Sequence, residues 1–181
     1  MARQPLQVIV IPFRERDSGG YEFAVFHRSD ASMWQFIAGG AEDDETAEQA
    51  ARREAAEEAG IPEGARFCQL ESRASIPRTA FSSTEHWPRN LLVVPEYAFA
   101  VAATGQELVL SHEHDKVCWL SFEEAARVLT WDSNRVALWE LNERLEADQR
   151  DFDHLVASVK QAGAIKRGKM KPGRTKQWRG R

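Results

Sequence analysis

The stretch Gly39–Ile61, GGAEDDETAEQAARREAAEEAGI, decides how the rest of the chain is read. Ala47, Ala50, Ala51, Ala55, Ala56 and Ala59 give it high intrinsic helix propensity. Thr46 and Gln49 form a T-x-x-Q capping box at the start. Gly60 suits the left-handed position after the last turn, and Pro62 stops propagation. The spacing predicts a helix from about Thr46 to Ala59. Within it, Glu54, Glu57 and Glu58 stand at i, i+3 and i+4, so their side chains share one face with Cβ atoms only ~5–6 Å apart. Like charges at that spacing destabilise a helix by roughly 0.2–0.5 kcal/mol per pair. A divalent cation reverses the sign, because hard cations such as Mg²⁺ take carboxylate oxygens and are usually held together with substrate phosphates. The alternative is a solvated acidic face. Gly39-Gly40, read as a loop before the helix, lets backbone approach a metal or phosphate closely.

The same stretch resembles the Nudix box, G-x5-E-x7-R-E-U-x-E-E-x-G-U with U a bulky aliphatic. Gly39, Glu45, Arg53, Glu54, Glu57, Glu58, Gly60 and Ile61 fall at the required spacing. Ala55 is the departure, a small residue at the first aliphatic position, which weakens packing there. The resemblance implies an α+β fold, the Nudix α/β/α sandwich with a mixed sheet between helices. It also implies hydrolysis of nucleoside diphosphates linked to another moiety, with Mg²⁺, or Mn²⁺ in its place, as cofactor. Glu54, Glu57 and Glu58 are then metal ligands. Arg53 belongs to the catalytic set by pairing with Glu45 and orienting the loop rather than by touching substrate. A further glutamate outside the box often joins the metals or acts as base. Glu113, in the polar loop SHEHD before a strand, is assigned to that place, with an exposed polar loop as the alternative. Glu54, Glu57 and Glu113 all remain open as the base that deprotonates water.

Outward from the box, the chain alternates strand and helix. Gln7–Phe13 and Tyr21–Arg28 read as a hairpin across the turn Asp17-Ser18-Gly19-Gly20. Trp34–Ile37 is a short strand running into the glycines. Strands are expected at about Arg66–Ile76, Leu91–Ala103 and Val117–Leu120. Phe122–Leu129 is a short helix and Asp132–Asp148 a longer one, with a helical continuation from Asp153 to Gln161. Residues 1–150 are assigned to the catalytic domain, 151–165 to a helical extension and 166–181 to a tail.

The 181 residues, 43% of them apolar, suit one domain with a sizeable core. No apolar run approaches the ~20 residues of a membrane span, and the N-terminus lacks signal-peptide order, so a cytoplasmic protein without a membrane partner is expected. Cys68 and Cys118 are far apart and form no CxxC pattern, consistent with reduced, half-buried thiols. The tail carries eight basic residues and no acidic one, leaving the body at −12 against −4 for the whole chain. It reads as disordered in isolation, able to touch nucleic acid or the acidic body, or as a merely solubilising terminus.

Substrate is less legible. WQFIAGG at Trp34–Gly40 and WDSNR at Trp131–Arg135 resemble the branch of the family assigned to dATP or dihydroneopterin triphosphate, with Ala38 replacing the usual proline. Trp34 or Trp131 would stack on a purine or pterin ring and Asn134 would read its edge. Core anchoring is the alternative for each tryptophan. Arg28, Arg78 and Arg89 are candidates for phosphate contact, or for surface ion pairs. Gly39 and Gly40 complete the substrate-facing set. The leading expectation is a Mg²⁺-dependent pyrophosphohydrolase cleaving a nucleoside or pterin triphosphate to monophosphate and pyrophosphate. An RNA 5′-end hydrolase using the tail, an ADP-ribose-type hydrolase (Pro77 is the pointer) and a silent binding module remain alternatives. The family also often forms homodimers.

Overall fold

The computed structural model describes residues 3–82 and 84–166, with the side chains of 150–166 excepted. The chain divides into two units, Met1–Glu143 and Arg144–Arg181. Among the described residues, the first unit holds a seven-stranded mixed sheet. Its strands are β1 (Arg3–Glu15), β2 (Tyr21–Arg28), β3 (Trp34–Gln35), β4 (Ile37–Glu42), β5 (Phe67–Pro77), β6 (Val93–Ala102) and β7 (His114–Leu120). The order is β3-β2-β1-β6-β5, with β4 pairing β1 and β7 pairing β2. The β1–β2 hairpin is as expected, with Gly19 and Gly20 at φ 87° and 77° in its turn. Pairing of β1 with β6 is parallel, Gln7 to Glu96 through Phe13 to Ala102.

Helix α1 (Ala47–Ala59) forms as its caps dictate. Thr46 and Gln49 make both bonds of the capping box, and Gly60 is left-handed at φ 66°. Its alanines 50, 51, 55 and 59 are fully buried against Val8, Val10, Phe26, Ile37, Phe99 and Val101. Ala55 is thus part of a close helix–sheet contact in which a small side chain is what fits. Since Val8 and Val10 face α1, strand alternation puts Gln7, Ile9 and Ile11 on the other face of β1.

Helix α2 (Phe122–Val128) is capped by a second box, Ser121 with Glu124. Helix α3 (Asp132–Lys166) buries Ala137, Leu138 and Leu141 in the first unit. Its Glu140 carboxylate accepts the backbone N–H groups of Glu71 (2.8 Å) and Ser72 (2.7 Å). These amides lie where the register of β5 against β6 shifts, between Gln69 and Arg73.

Three expectations need correction. Gly39-Gly40 is not a loop but the middle of β4, because both residues pair with β1, at Val8 and Gln7. The helices expected at Asp132–Asp148 and Asp153–Gln161 are one helix, since no glycine or proline interrupts residues 132–161. Cys68 is exposed rather than half-buried. The expected tail lies outside the described residues beyond Lys166. No described helix is long and apolar enough to cross a membrane.

Candidate active site

The site begins where α1 passes β4. A Cβ at Gly39 would stand 1.8 Å from the Glu54 carboxyl carbon, so the absence of a side chain there is what admits Glu54. Arg53 ties the region together. Its Nε and Nη2 donate to the Glu45 carboxylate (2.9 and 3.0 Å), and Nη2 also donates to the Gly40 carbonyl (2.8 Å). Nη1 bridges Glu54 (3.0 Å) and Glu57 (3.1 Å). These carboxylates raise the Arg53 pKa, the Glu45 hydrogen bond most of all. The pairing of Arg53 with Glu45 is present as a contact.

Glu54, Glu58 and Glu113 line one cavity of about 780 Å³, together with Arg28, Gly39, Gly40 and Asn134. The loop that carries Glu113 is pinned because the Ser29 N–H donates to the Glu113 carbonyl (2.9 Å). Arg28 holds Asp30 with two bonds (2.8 and 2.7 Å) and reaches Glu113 at 3.5 Å. Glu57 is not in the lining: its side chain is 60% exposed beside Arg53.

Electrostatics in the cavity favour a cation. Burial, then the charges of Glu54 and Glu113, push the Glu58 carboxyl up to about 8. Burial likewise raises Glu54, against the lowering by Arg53. Glu58 Oε2 is buried without a hydrogen-bond partner, and the nearby His114 Nδ1, 3.7 Å away, belongs to a ring whose pKa burial depresses. Among the described residues no three His, Cys, Asp or Glu side chains already converge on one ion. The donor set nevertheless fits a hard divalent cation, since crowded carboxylates with an orphaned oxygen are what such an ion satisfies.

Three expected substrate residues are not in the lining, the exposed Arg89 among them. Arg78 donates to the Thr84 and Pro88 carbonyls (both 2.7 Å), so its guanidinium holds its own loop. Trp34 packs on His27, ring centroids 5.0 Å apart, and does not line the cavity. Asn134 is in the lining, but its Oδ1 is engaged by the Phe36 N–H (2.9 Å). Trp131 is in the lining too, its Nε1 donating to Gln35 Oε1 at 3.3 Å. Sequence reading missed Arg3, Gln7 and Glu96. Arg3 lines the cavity with an unpartnered buried Nε, and no local pattern around it carries a signal.

Comparison with known proteins identifies the family. The NUDIX domain family matches residues 3–139. A Listeria monocytogenes protein assigned as a NUDIX hydrolase is 45% identical, at a TM-score of 0.72 over 80% of this chain and 97% of that one. The Escherichia coli dihydroneopterin triphosphate pyrophosphohydrolase is 25% identical, with a TM-score of 0.64 over 80% and 99%. A Caenorhabditis elegans Ap4A hydrolase shares the fold at 20% identity, TM-score 0.59, over 78% and 97%. No curated protein matches the chain.

Proposed function

The chain belongs to the Nudix family, hydrolases of phosphoanhydride bonds, and from that premise we propose that it is a Mg²⁺-dependent pyrophosphohydrolase converting a nucleoside or pterin triphosphate to monophosphate and pyrophosphate. The observation that carries the reading is one cavity with Glu54, Glu58 and Glu113 at one end and Trp131, Gln35 and Asn134 also in its wall. The similarity to the dihydroneopterin triphosphate enzyme supports the triphosphate substrate.

In this reading Glu54, Glu58 and Glu113 hold the metal, with Glu57 reached once Arg53 shares it. Bound Mg²⁺ supplies neutralisation of charge on the phosphate oxygens. The chain's own groups do the rest. Arg53 fixes Glu54 and Glu57 in place. Arg28 and Arg3 bring positive charge to the phosphates from the cavity wall. Water attacks phosphorus, its proton passes to a glutamate, the P–O anhydride bond breaks and pyrophosphate leaves. Positioning and electrostatics dominate such a reaction. Glu54 and Glu113, in the cavity wall, are candidates for the base, and Glu57, exposed beside Arg53, is a third.

The test is incubation with Mg²⁺ and a panel of dATP, the other nucleoside triphosphates, dihydroneopterin triphosphate, ADP-ribose and 5′-triphosphorylated RNA, with products separated by chromatography. Monophosphate plus pyrophosphate from a free triphosphate supports the proposal. Turnover of ADP-ribose or RNA alone replaces the substrate class.

A further inference from the structure

Gln7 is the register partner of Gly40 on one side and of Glu96 on the other. Register partners on adjacent strands share a face of the sheet. The row Gly40–Gln7–Glu96 therefore crosses β4, β1 and β6, and all three residues line the cavity. At ~4.8 Å per strand, Glu96 lies about 10 Å across the sheet from Gly40.

Glu96 is only 7% exposed, yet its Oε1 accepts no hydrogen bond. Among the described residues no cation pairs with it, and burial raises its pKa while the Ser133 hydroxyl lowers it. A buried carboxyl with an open acceptor is costly unless something completes it. Gln35, also buried, accepts the Trp131 indole N–H at its Oε1, and its amide nitrogen is the donor end. The cavity wall thus offers the Glu96 carboxylate with an open Oε1, an amide donor from Gln35 and an indole.

We propose that Glu96 selects the heterocycle of the substrate, its carboxylate accepting two adjacent N–H groups of a 2-amino-4-oxo ring edge. Guanine and pterin share that edge, a ring N–H and an amine beside a carbonyl. Adenine presents one amine beside an acceptor nitrogen, which repels a carboxylate oxygen. This selectivity rests on the proposed triphosphate reaction. A bidentate match of this kind discriminates by about 10–100-fold.

The test measures kcat/KM for dGTP, dihydroneopterin triphosphate and dATP with wild type and E96Q, an isosteric change that puts an amide where two acceptors stood. Wild type is expected to favour dGTP, dihydroneopterin triphosphate or both over dATP by about 10-fold or more. The ratio of the first two tells which source supplies the edge. E96Q is expected to erase the preference by lowering kcat/KM for dGTP and dihydroneopterin triphosphate more than for dATP. A wild-type preference for dATP, or an equal loss on all three in E96Q, overturns the proposal. The wild-type ratio decides even if E96Q does not fold. If no triphosphate is turned over, the reaction assignment fails by itself, and calorimetry with GMP and AMP decides the selectivity. Tighter GMP binding, levelled by E96Q, upholds it; equal affinities or no binding overturn it.

Discussion

Glu54 occupies the space that a side chain at Gly39 would fill, with the built Cβ 1.8–2.4 Å from its carboxylate atoms. Gly39 is not held in a left-handed conformation, so its role is this close approach. In Gly39→Ala the Glu54 carboxylate, the mobile end of a long side chain, must move away. Thermal stability is expected to fall by about 1 kcal/mol or less, a Tm change of roughly 2–4 °C. Activity is expected to fall far more, by roughly 10–100-fold, as for a displaced metal ligand. Melting curves and steady-state kinetics on one preparation check both halves. A large Tm loss with proportionate activity would assign Gly39 to packing instead.

Arg53→Lys keeps the charge and loses the fork. One ammonium cannot span Glu45, Glu54, Glu57 and the Gly40 carbonyl at once. The expected result is a kcat lowered roughly 10–100-fold with KM unchanged, because Arg53 acts through the glutamates. A raised KM at normal kcat would mean that Arg53 touches substrate.

Glu58 makes stability depend on pH when metal is removed. Its carboxyl sits near 8 when folded, against an ordinary 4.5, so the folded chain holds a proton that the unfolded chain has released. Its stabilising contribution is complete below about pH 4.5 and is lost as pH rises through about 8. His114 works in the opposite sense, but only below its ordinary 6.5. Between pH 6.5 and 8, the Tm in EDTA is expected to fall with rising pH, and in Glu58→Gln this fall should lessen, with Glu54 and Glu96, also raised by burial, supplying any remainder. Added Mg²⁺ should raise Tm more at pH 8 than at 6.5, since it competes with that proton. A flat Tm in EDTA for the wild type would disprove the elevated Glu58.

Every described residue that lines the cavity lies between Arg3 and Asn134. Removal of residues 166–181 is therefore expected to leave triphosphate hydrolysis unchanged. Binding of 5′-triphosphorylated RNA by the full chain, if carried by the tail, should weaken steeply with salt and disappear on truncation. Parallel kinetic and binding titrations on both lengths separate these outcomes.

The parts visible in the sequence were those written in local spacing. Thr46, Gln49 and Gly60 announced the ends of α1, and Glu54 and Glu58 their shared face. Glu113 was readable as a carboxylate in a polar loop, and the structure brings it to the same cavity. What could not be read depended on pairing between distant strands. Gly39-Gly40 looked like a loop because glycine is a poor strand former, but its β1 partners decide its conformation. Glu96 acquires meaning only through the parallel register with Gln7. Arg78 carried the charge expected of a phosphate ligand, and only the path of its loop showed two carbonyls claiming it.

Glu140 bears on how the chain behaves beside other copies of itself. β5 ends the order of the sheet, and an edge strand with free donors is a template for a strand from another molecule. At Glu71 and Ser72, where the register with β6 breaks, the carboxylate takes both amides for itself. Two backbone donors of the end strand are thereby satisfied from within the fold by a single acidic side chain.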